Sequence, residues 1–159
     1  MFKTNILKQF NMTRDTLLKS IRDISDADAD VMPNGFNNTI RWNIGHILTS
    51  ADRSFAIANL TTKLPPDYKS LFLTGTSPKN WTIDAPSLQE LFVQLKEQKQ
   101  AMQEIFSDRL DEKLETPLKL SLYEGYELDS IGEVLNFFVF HEAMHLGYIN
   151  ALKRTIQGN

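Results

Sequence analysis

Apolar residues recur at intervals of three and four along four long stretches of the chain, the spacing that places them on one face of an α-helix. The first stretch covers residues 2–24, and its apolar positions are Phe2, Ile6, Phe10, Leu17, Ile21 and Ile24. The same spacing predicts a second helix over about 39–60, a third from a cap at 87 to about 110, and a fourth from a cap at 130 to about 155. Four one-sided helices of this length predict an all-α fold, a four-helix bundle.

The predicted helix starts carry recognisable capping residues. Asn38 or Thr39 suits the N-cap of the second helix. Ser87-Leu88-Gln89-Glu90 and Ser130-Ile131-Gly132-Glu133 both have the capping-box pattern, in which the serine and the glutamate each bind a backbone amide of the first turn. These signals predict where the third and fourth helices begin.

Two connections separate the later helices. Prolines and a glycine interrupt the pattern between the second and third helices, and the aromatic and leucine residues among them predict a packed loop with about one helical turn. After the third helix, Leu118, Leu120 and Leu122 alternate with polar residues, and Glu124-Gly125 predicts the turn of a short hairpin. We therefore expect one domain over 1–159, with a long loop between helices 2 and 3 and an irregular or hairpin-like segment before helix 4.

Composition and charge exclude several classes of function. The net charge is −3, and no stripe of Lys and Arg is present, so we expect no nucleic-acid partner. No apolar run approaches the roughly 20 residues that a membrane span requires. The first residues lack the apolar core of a signal peptide, so the expected location is the cytoplasm. The absence of cysteine excludes disulfides and a cysteine nucleophile.

His141 and His145 form a pair of histidines one turn apart within the predicted fourth helix. Residues at i and i+4 project from one helix face, within reach of a single ion. The same face carries the apolar positions Val134, Phe138 and Leu152, so it is expected to point into the core. Neutral imidazoles crowded there would each need a polar partner, and a shared metal ion provides one. The alternative is a pair of hydrogen-bonded core histidines.

The third histidine, His46, lies in the predicted second helix near Asn43, Ser50 and Arg53. An apolar stripe on the opposite face competes for the interior, so the pattern leaves open whether His46 points inward. If it does, three histidines leave one tetrahedral position for water, which is typical of catalytic and not of structural metal sites. Imidazole ligands suit zinc, nickel, copper or iron.

The string His141-Glu142-Ala143-Met144-His145 also has the form of a metalloprotease motif, in which the glutamate is a general base. Its context is unfavourable. No acidic residue follows Glu142 to act as a further ligand, and Tyr148 and Ala151 stand where an extended motif requires Gly and His. A protease is therefore not favoured.

Two short motifs together resemble the DinB-like family of metal-binding bundles. They are Arg41-Trp42-Asn43-Ile44-Gly45-His46 and the later His141-Glu142-x-x-His145-x-Gly147, and their order and separation extend the resemblance over nearly the whole chain. The resemblance implies that His46, His141 and His145 bind one divalent metal ion, usually nickel or zinc in such proteins. It also implies a homodimer, which is common in the family. Tyr148 replaces the glutamine common after the glycine; this spares the ligands but leaves the substrate open.

The resemblance also implies candidate chemistry, because relatives include thiol-dependent transferases and metal-dependent hydrolases. Our first hypothesis is an enzyme whose metal activates a bound thiol or water, with thiol transfer favoured; the thiol would be a low-molecular-weight cosubstrate. Asn43, Ser50, Arg53 and Tyr148 are expected to line the substrate site. Arg53 is a candidate to bind a substrate carboxylate, with an ordinary surface ion pair as the alternative.

Glu142 is the candidate acid or base. Its side chain points about 100° away from that of His141 around the helix axis, so a salt bridge or solvent exposure is the alternative. Two other functions remain open: a binding or sensing module stabilised by a structural metal, and an interaction protein without metal. For the homodimer we predict an interface along Val139, Ala143 and Leu146. The alternative is that the long loop or the segment 118–122 covers this stripe within one chain.

Overall fold

The computed structural model describes residues 3–158 and consists mostly of α-helix, with one small antiparallel sheet. In chain order, the helices and strands of this part of the chain are α1 (Lys3–Ile21), α2 (Asp26–Ala29), α3 (Ile40–Ile57), α4 (Tyr68–Phe72), α5 (Leu88–Phe106), β1 (Lys113–Lys119), β2 (Glu127–Ser130) and α6 (Ile131–Gln157). A turn of 3₁₀-helix, Pro78–Asn80, lies between α4 and α5. The mainly helical fold predicted from the sequence is confirmed. None of these helices is both long and apolar enough to cross a bilayer.

The long helices begin at the predicted capping residues. The hydroxyl of Thr39, not the side chain of Asn38, accepts a hydrogen bond from the backbone of Trp42 at the start of α3. Ser87 and Glu90 form the complete capping box of α5. At the start of α6, the hydroxyl of Ser130 accepts a hydrogen bond from the backbone N–H of Glu133. The Glu133 carboxylate accepts a hydrogen bond from the backbone N–H of Asp129. The serine half of the second box is therefore as predicted, whereas the glutamate binds the amide one residue before the predicted one.

Three helix ends differ from the prediction by three or four residues, and one of them is the end of α3, at Ile57 and not near Leu60. The first helix ends at Ile21 and not at Ile24, and the polar segment after it forms the short α2, capped by Ser25. An N-cap residue has an extended backbone, so one helix cannot continue through Ser25. The predicted start at Phe2 lies outside the described residues. Helix α5 ends at Phe106, four residues before the predicted end.

Helix α3 occupies the centre of the packing. Helices α5 and α6 each contact both α1 and α3, and α4 covers another side of α3. Two apolar clusters fill the interior; one includes Ile44 and Phe72, and the other includes Phe55 and Phe106. Because partners surround it, α3 is buried on nearly all sides, and both of its competing faces point into the protein.

The predicted hairpin forms the small sheet. Strand β1 pairs antiparallel with β2, with Leu118 opposite Leu128 and Lys119 opposite Glu127. Gly125 has a φ of 84° in the connecting turn, a backbone conformation that glycine adopts without strain. Strand β2 leads directly into α6. The hairpin therefore connects to the start of the helix that carries two of the histidines.

Candidate metal centre

The fold brings the three histidines of the chain together. His46 comes from α3, and His141 and His145 come from α6. One ring nitrogen of each lies within 4.8 Å of the others, and the Nε2 atoms of His46 and His141 are 3.1 Å apart. His46 therefore points inward, which settles the question that the sequence pattern left open.

Hydrogen bonds to the protein fix the orientation of two of the imidazoles. Nδ1 of His46 donates to the backbone carbonyl of Phe72 at 2.6 Å. Nδ1 of His145 donates to Oδ1 of Asn43 at 2.8 Å, while the amide nitrogen of Asn43 donates to the carbonyl of Thr39. Because a carbonyl oxygen only accepts, the proton of each ring is on Nδ1 and the lone pair is on Nε2. Metal-binding histidines are commonly held in this way.

A glycine permits the contact between His46 and Phe72. A Cβ added at Gly45 would lie 2.4 Å from ring carbons of Phe72, a distance that no side chain tolerates. Helix α4 can therefore approach α3 only because residue 45 lacks a side chain, and this approach brings the Phe72 carbonyl to the His46 ring. Trp42 stacks on a face of the His46 ring, with ring centroids 4.6 Å apart and an interplanar angle of 10°.

The histidines are neutral at physiological pH. Burial, followed by repulsion from His145 and His46, lowers the pKa of His141 to about 3. Burial, followed by repulsion from His46, lowers the pKa of His145 to about 4. Burial also lowers the pKa of His46, and the nearby Arg53 contributes to the lowering at His46 and His141. A metal ion would therefore displace no protons from these rings near neutral pH.

The donor set fits a divalent transition metal. Two nitrogens each about 2.0–2.1 Å from one ion lie about 2.8–3.4 Å apart at angles between square and tetrahedral. The 3.1 Å between the Nε2 atoms of His46 and His141 falls in this range. Three neutral imidazoles suit zinc or nickel, and they leave at least one coordination position to a non-protein ligand.

Two adjoining cavities open beside the histidines. The larger, about 680 Å³, is bordered by all three histidines together with Asn43 and Tyr148. The smaller, about 270 Å³, is bordered by His141, Ser50 and Arg53. The four residues expected to line a substrate site thus all border a cavity that His141 also borders. Phe137 and Met144 also border the larger cavity, which the sequence analysis does not predict. Their spacing of four and three residues from His141 places them near it on the helix surface, so the sequence did contain a signal for them.

Glu142 lies apart from both cavities. Its side chain is buried, and its two carboxylate oxygens accept hydrogen bonds from Nε and a terminal nitrogen of Arg14, at 2.7 and 2.9 Å. The salt bridge considered as the alternative is the arrangement found here. The acid or base role predicted for Glu142 finds no geometric support, because its helical offset turns the carboxylate away from the space beside His141.

The predicted dimer stripe on α6 is partly covered within the chain. Val139 and Leu146 pack against its two apolar clusters, and only Ala143 between them is exposed. Two large exposed apolar residues of this helix, Phe140 and Met144, lie beside the stripe, and Tyr148 is a third exposed residue of the helix.

The fold and the histidine cluster define a helical protein whose three-histidine site is compatible with a divalent metal ion. The family model described as the DinB superfamily matches residues 9–149, so the chain belongs to this superfamily. A crystal structure of a conserved protein from Enterococcus faecalis is similar, with a TM-score of 0.70 over 98% of this chain and 97% of that one. At 13% identity, this likeness concerns the fold alone. No curated protein matches the sequence.

Proposed function

We propose that the protein is a metal-dependent enzyme of the DinB superfamily, a single four-helix-bundle domain over 1–159. His46, His141 and His145 bind one divalent ion, nickel or zinc, and a thiol or water bound there is the nucleophile. Thiol-dependent transfer is favoured over hydrolysis. The observation that carries the proposal is the convergence of three neutral imidazoles at the border of an open cavity.

The arrangement favours a catalytic centre over a structural one. Structural zinc sites are closed by four protein ligands, whereas catalytic sites keep a position for water or substrate. Within the described residues, the metal-binding group consists of three histidines without a carboxylate. The space beside these histidines is a cavity of about 680 Å³, large enough for a small-molecule substrate.

A bound divalent ion supplies Lewis acidity, which keeps a coordinated thiol or water deprotonated near neutral pH. Because the chain has no cysteine, the thiol belongs to a small cosubstrate. Its sulfur forms a bond to an electrophilic carbon of the second substrate, whose leaving group departs with the bonding electrons, and the thiol proton passes to solvent. The Ser50 hydroxyl lies 3.4 Å from Nε2 of His46 and would be close to a ligand held at the histidines.

The test compares thiol-dependent and thiol-independent turnover. Metal-loaded protein is incubated with electrophiles and a panel of low-molecular-weight thiols, and separately with activated esters and amides. We expect the electrophile to be consumed only when a thiol is present. A chelator or the variant His145→Ala should abolish this activity, while the control variant Asn150→Ala, on the same helix, should retain it. Ester hydrolysis indifferent to thiol would instead favour a hydrolase.

The same experiment distinguishes an enzyme from a binding module. If neither reaction occurs although metal is bound and exchangeable water is detected at it, the enzymatic proposal is contradicted. A non-catalytic bundle that binds or senses a ligand through its metal then becomes the better account.

We also propose that the protein is a homodimer that pairs through the exposed side of α6 around Ala143. The small Ala143 permits close helix approach, and the exposed Phe140 and Met144 beside it supply apolar surface. Light scattering at tens of micromolar should give the dimer mass, and Ala143→Glu should give the monomer. Thr155→Glu, at an exposed polar position of the same helix, should remain dimeric. A monomeric wild type would refute the proposal.

A further inference from the structure

The two cavities beside the histidines contain basic side chains and no acidic ones. Among the described residues, Lys79 borders the larger cavity, Arg53 and Lys119 border the smaller, and no Asp or Glu borders either. Lys119 is paired with Glu127 across the hairpin, but no ion pair within residues 3–158 engages Arg53 or Lys79. The site is thus locally positive in a chain whose net charge is −3.

A metal ion bound by neutral histidine ligands would increase the excess of positive charge beside the two cavities. Histidine binds a metal ion as a neutral imidazole, so a divalent ion held by three histidines keeps its full charge. No carboxylate of the cavity lining offsets this charge or that of Arg53. A negatively charged occupant would neutralise both, so the electrostatics of the site select for anions.

Arg53 is aligned with the metal-binding residue of its own helix. His46, Ser50 and Arg53 follow each other at i, i+4 and i+7, which places them along one side of α3 over a rise of about 10 Å. Arg53 is an exposed residue that borders the same cavity as Ser50 and His141. It also borders a separate cavity whose lining includes Asp52. A guanidinium in this position can bind a carboxylate with two parallel hydrogen bonds.

We propose that the thiol cosubstrate is a carboxylate-bearing molecule, with its sulfur at the histidine centre and its carboxylate on Arg53. This inference rests on the proposed function. The cavity that His141 and Arg53 border is also lined by the apolar side chains of Leu120, Leu122, Phe137 and Phe138, which suits a short hydrocarbon spacer between the two groups. Arg53 is then a specificity-determining residue that favours anionic over neutral thiols.

The experiment measures thiol binding to cobalt(II)-loaded protein through the thiolate-to-cobalt absorption band. Two matched pairs of probes differ only in charge: 3-mercaptopropionate with 3-mercaptopropanol, and 6-mercaptohexanoate with 6-mercaptohexanol. We expect the wild type to bind the carboxylate of at least one pair about tenfold more tightly than its alcohol. Arg53→Gln should reduce the difference to within about twofold, and Arg53→Lys should retain part of it.

Arg22→Gln is the matched control, because it removes the same charge from an exposed residue paired with Asp23. It should keep the full preference for carboxylates. Equal binding of acids and alcohols by the wild type would overturn the inference while leaving the proposed metal-bound thiol intact. A preference that survives Arg53→Gln would overturn the assignment to Arg53.

A second measurement needs no thiol. In the zinc-loaded protein, hexanoate should shift the side-chain Nε–H resonance of Arg53, and hexanol should not. A resonance indifferent to hexanoate would overturn the inference even if thiols bind the metal. A shift with hexanoate in a protein that shows no thiolate band would support the anion site and contradict the thiol chemistry of the proposed function.

Discussion

Asn43 connects the two helices that supply the histidines. Its side-chain oxygen accepts from Nδ1 of His145 on α6, and its amide nitrogen donates to the carbonyl of Thr39 at the start of its own helix α3. The buried amide is thereby held in one orientation, and it holds the imidazole of His145 in the tautomer with Nε2 free. Asn43 thus acts on the metal centre through His145.

Removing this contact should weaken metal binding without changing the number of ions bound. We expect Asn43→Ala to lower the affinity about 10–100-fold, the usual cost of losing a partner behind a metal ligand. Asn43→Asp keeps an acceptor for Nδ1 and should bind nearly as tightly as the wild type. Competition with a chromophoric chelator gives the affinities, and Asn150→Ala serves as control. Unchanged affinity in Asn43→Ala would contradict this role.

The lowered pKa values predict how the metal-free protein responds to acid. In the unfolded chain the imidazoles titrate near a pKa of about 6.5. In the folded protein the pKa of His145 is about 4 and that of His141 about 3. Below about pH 6.5 the unfolded state therefore binds protons that the folded state does not. As the pH is lowered further, the free energy of unfolding decreases until the histidines of the folded protein also become protonated.

Urea unfolding of the metal-free protein at pH 7 and pH 5 measures this effect. A variant with His141→Gln and His145→Gln lacks two of the titrating groups and should lose less stability over the interval than the wild type. The comparison cancels the contribution of carboxylates, which both proteins share. An identical loss in the two proteins would show that these histidines titrate alike in the folded and unfolded chains.

At the scale of elements, one buried polar network joins all four long helices. Arg14 of α1 binds Glu142 of α6 and, on α5, the carbonyl of Leu95 and the side chain of Gln98. Gln98 in turn donates to the carbonyl of Leu48 on α3. Because Glu142 directly follows His141, this network helps to set the position of the histidine helix relative to α3.

Breaking this network should be costly. Arg14→Met leaves Glu142 buried without its partner, and we expect a loss of about 3–5 kcal/mol in the free energy of unfolding. Asp15→Asn changes a residue on the same helix as Arg14 and removes a partially exposed ion pair with Lys99 of α5. It should cost less than about 1 kcal/mol. Urea unfolding compares them. If Arg14→Met costs no more than Asp15→Asn, the network does not stabilise the packing.

The sequence predicts the elements well where a helix has one buried face and a capping residue. Ser87 and Ser130 mark the starts of α5 and α6, and the alternation before Gly125 indicates the hairpin. For α3 the periodicity could not decide which face is buried, because α4, α5 and α6 together cover both faces of the helix over most of its length. The orientation of His46 therefore depends on packing that no local pattern encodes.

At the scale of the whole molecule, the histidine cluster is the part of the site that sequence reasoning anticipates best. The i, i+4 spacing brings His141 and His145 together by helix geometry alone, whereas adding His46 requires the packing of α3 on α6. The Phe72 carbonyl that orients His46 is a backbone group, so residue type gives no signal for it. The partner of Glu142 is equally hidden, since Arg14 lies 128 residues away in the chain.

Metal content tests the three-histidine centre most directly. Wild type and the variants His46→Ala, His141→Ala and His145→Ala are purified without a nickel column and analysed for metals, with circular dichroism to confirm that each variant is folded. We expect about one divalent ion per wild-type chain, as three ligands around one ion require, and a marked loss in every folded variant. Full metal content in any one of the three variants, when that variant is folded, would contradict the account.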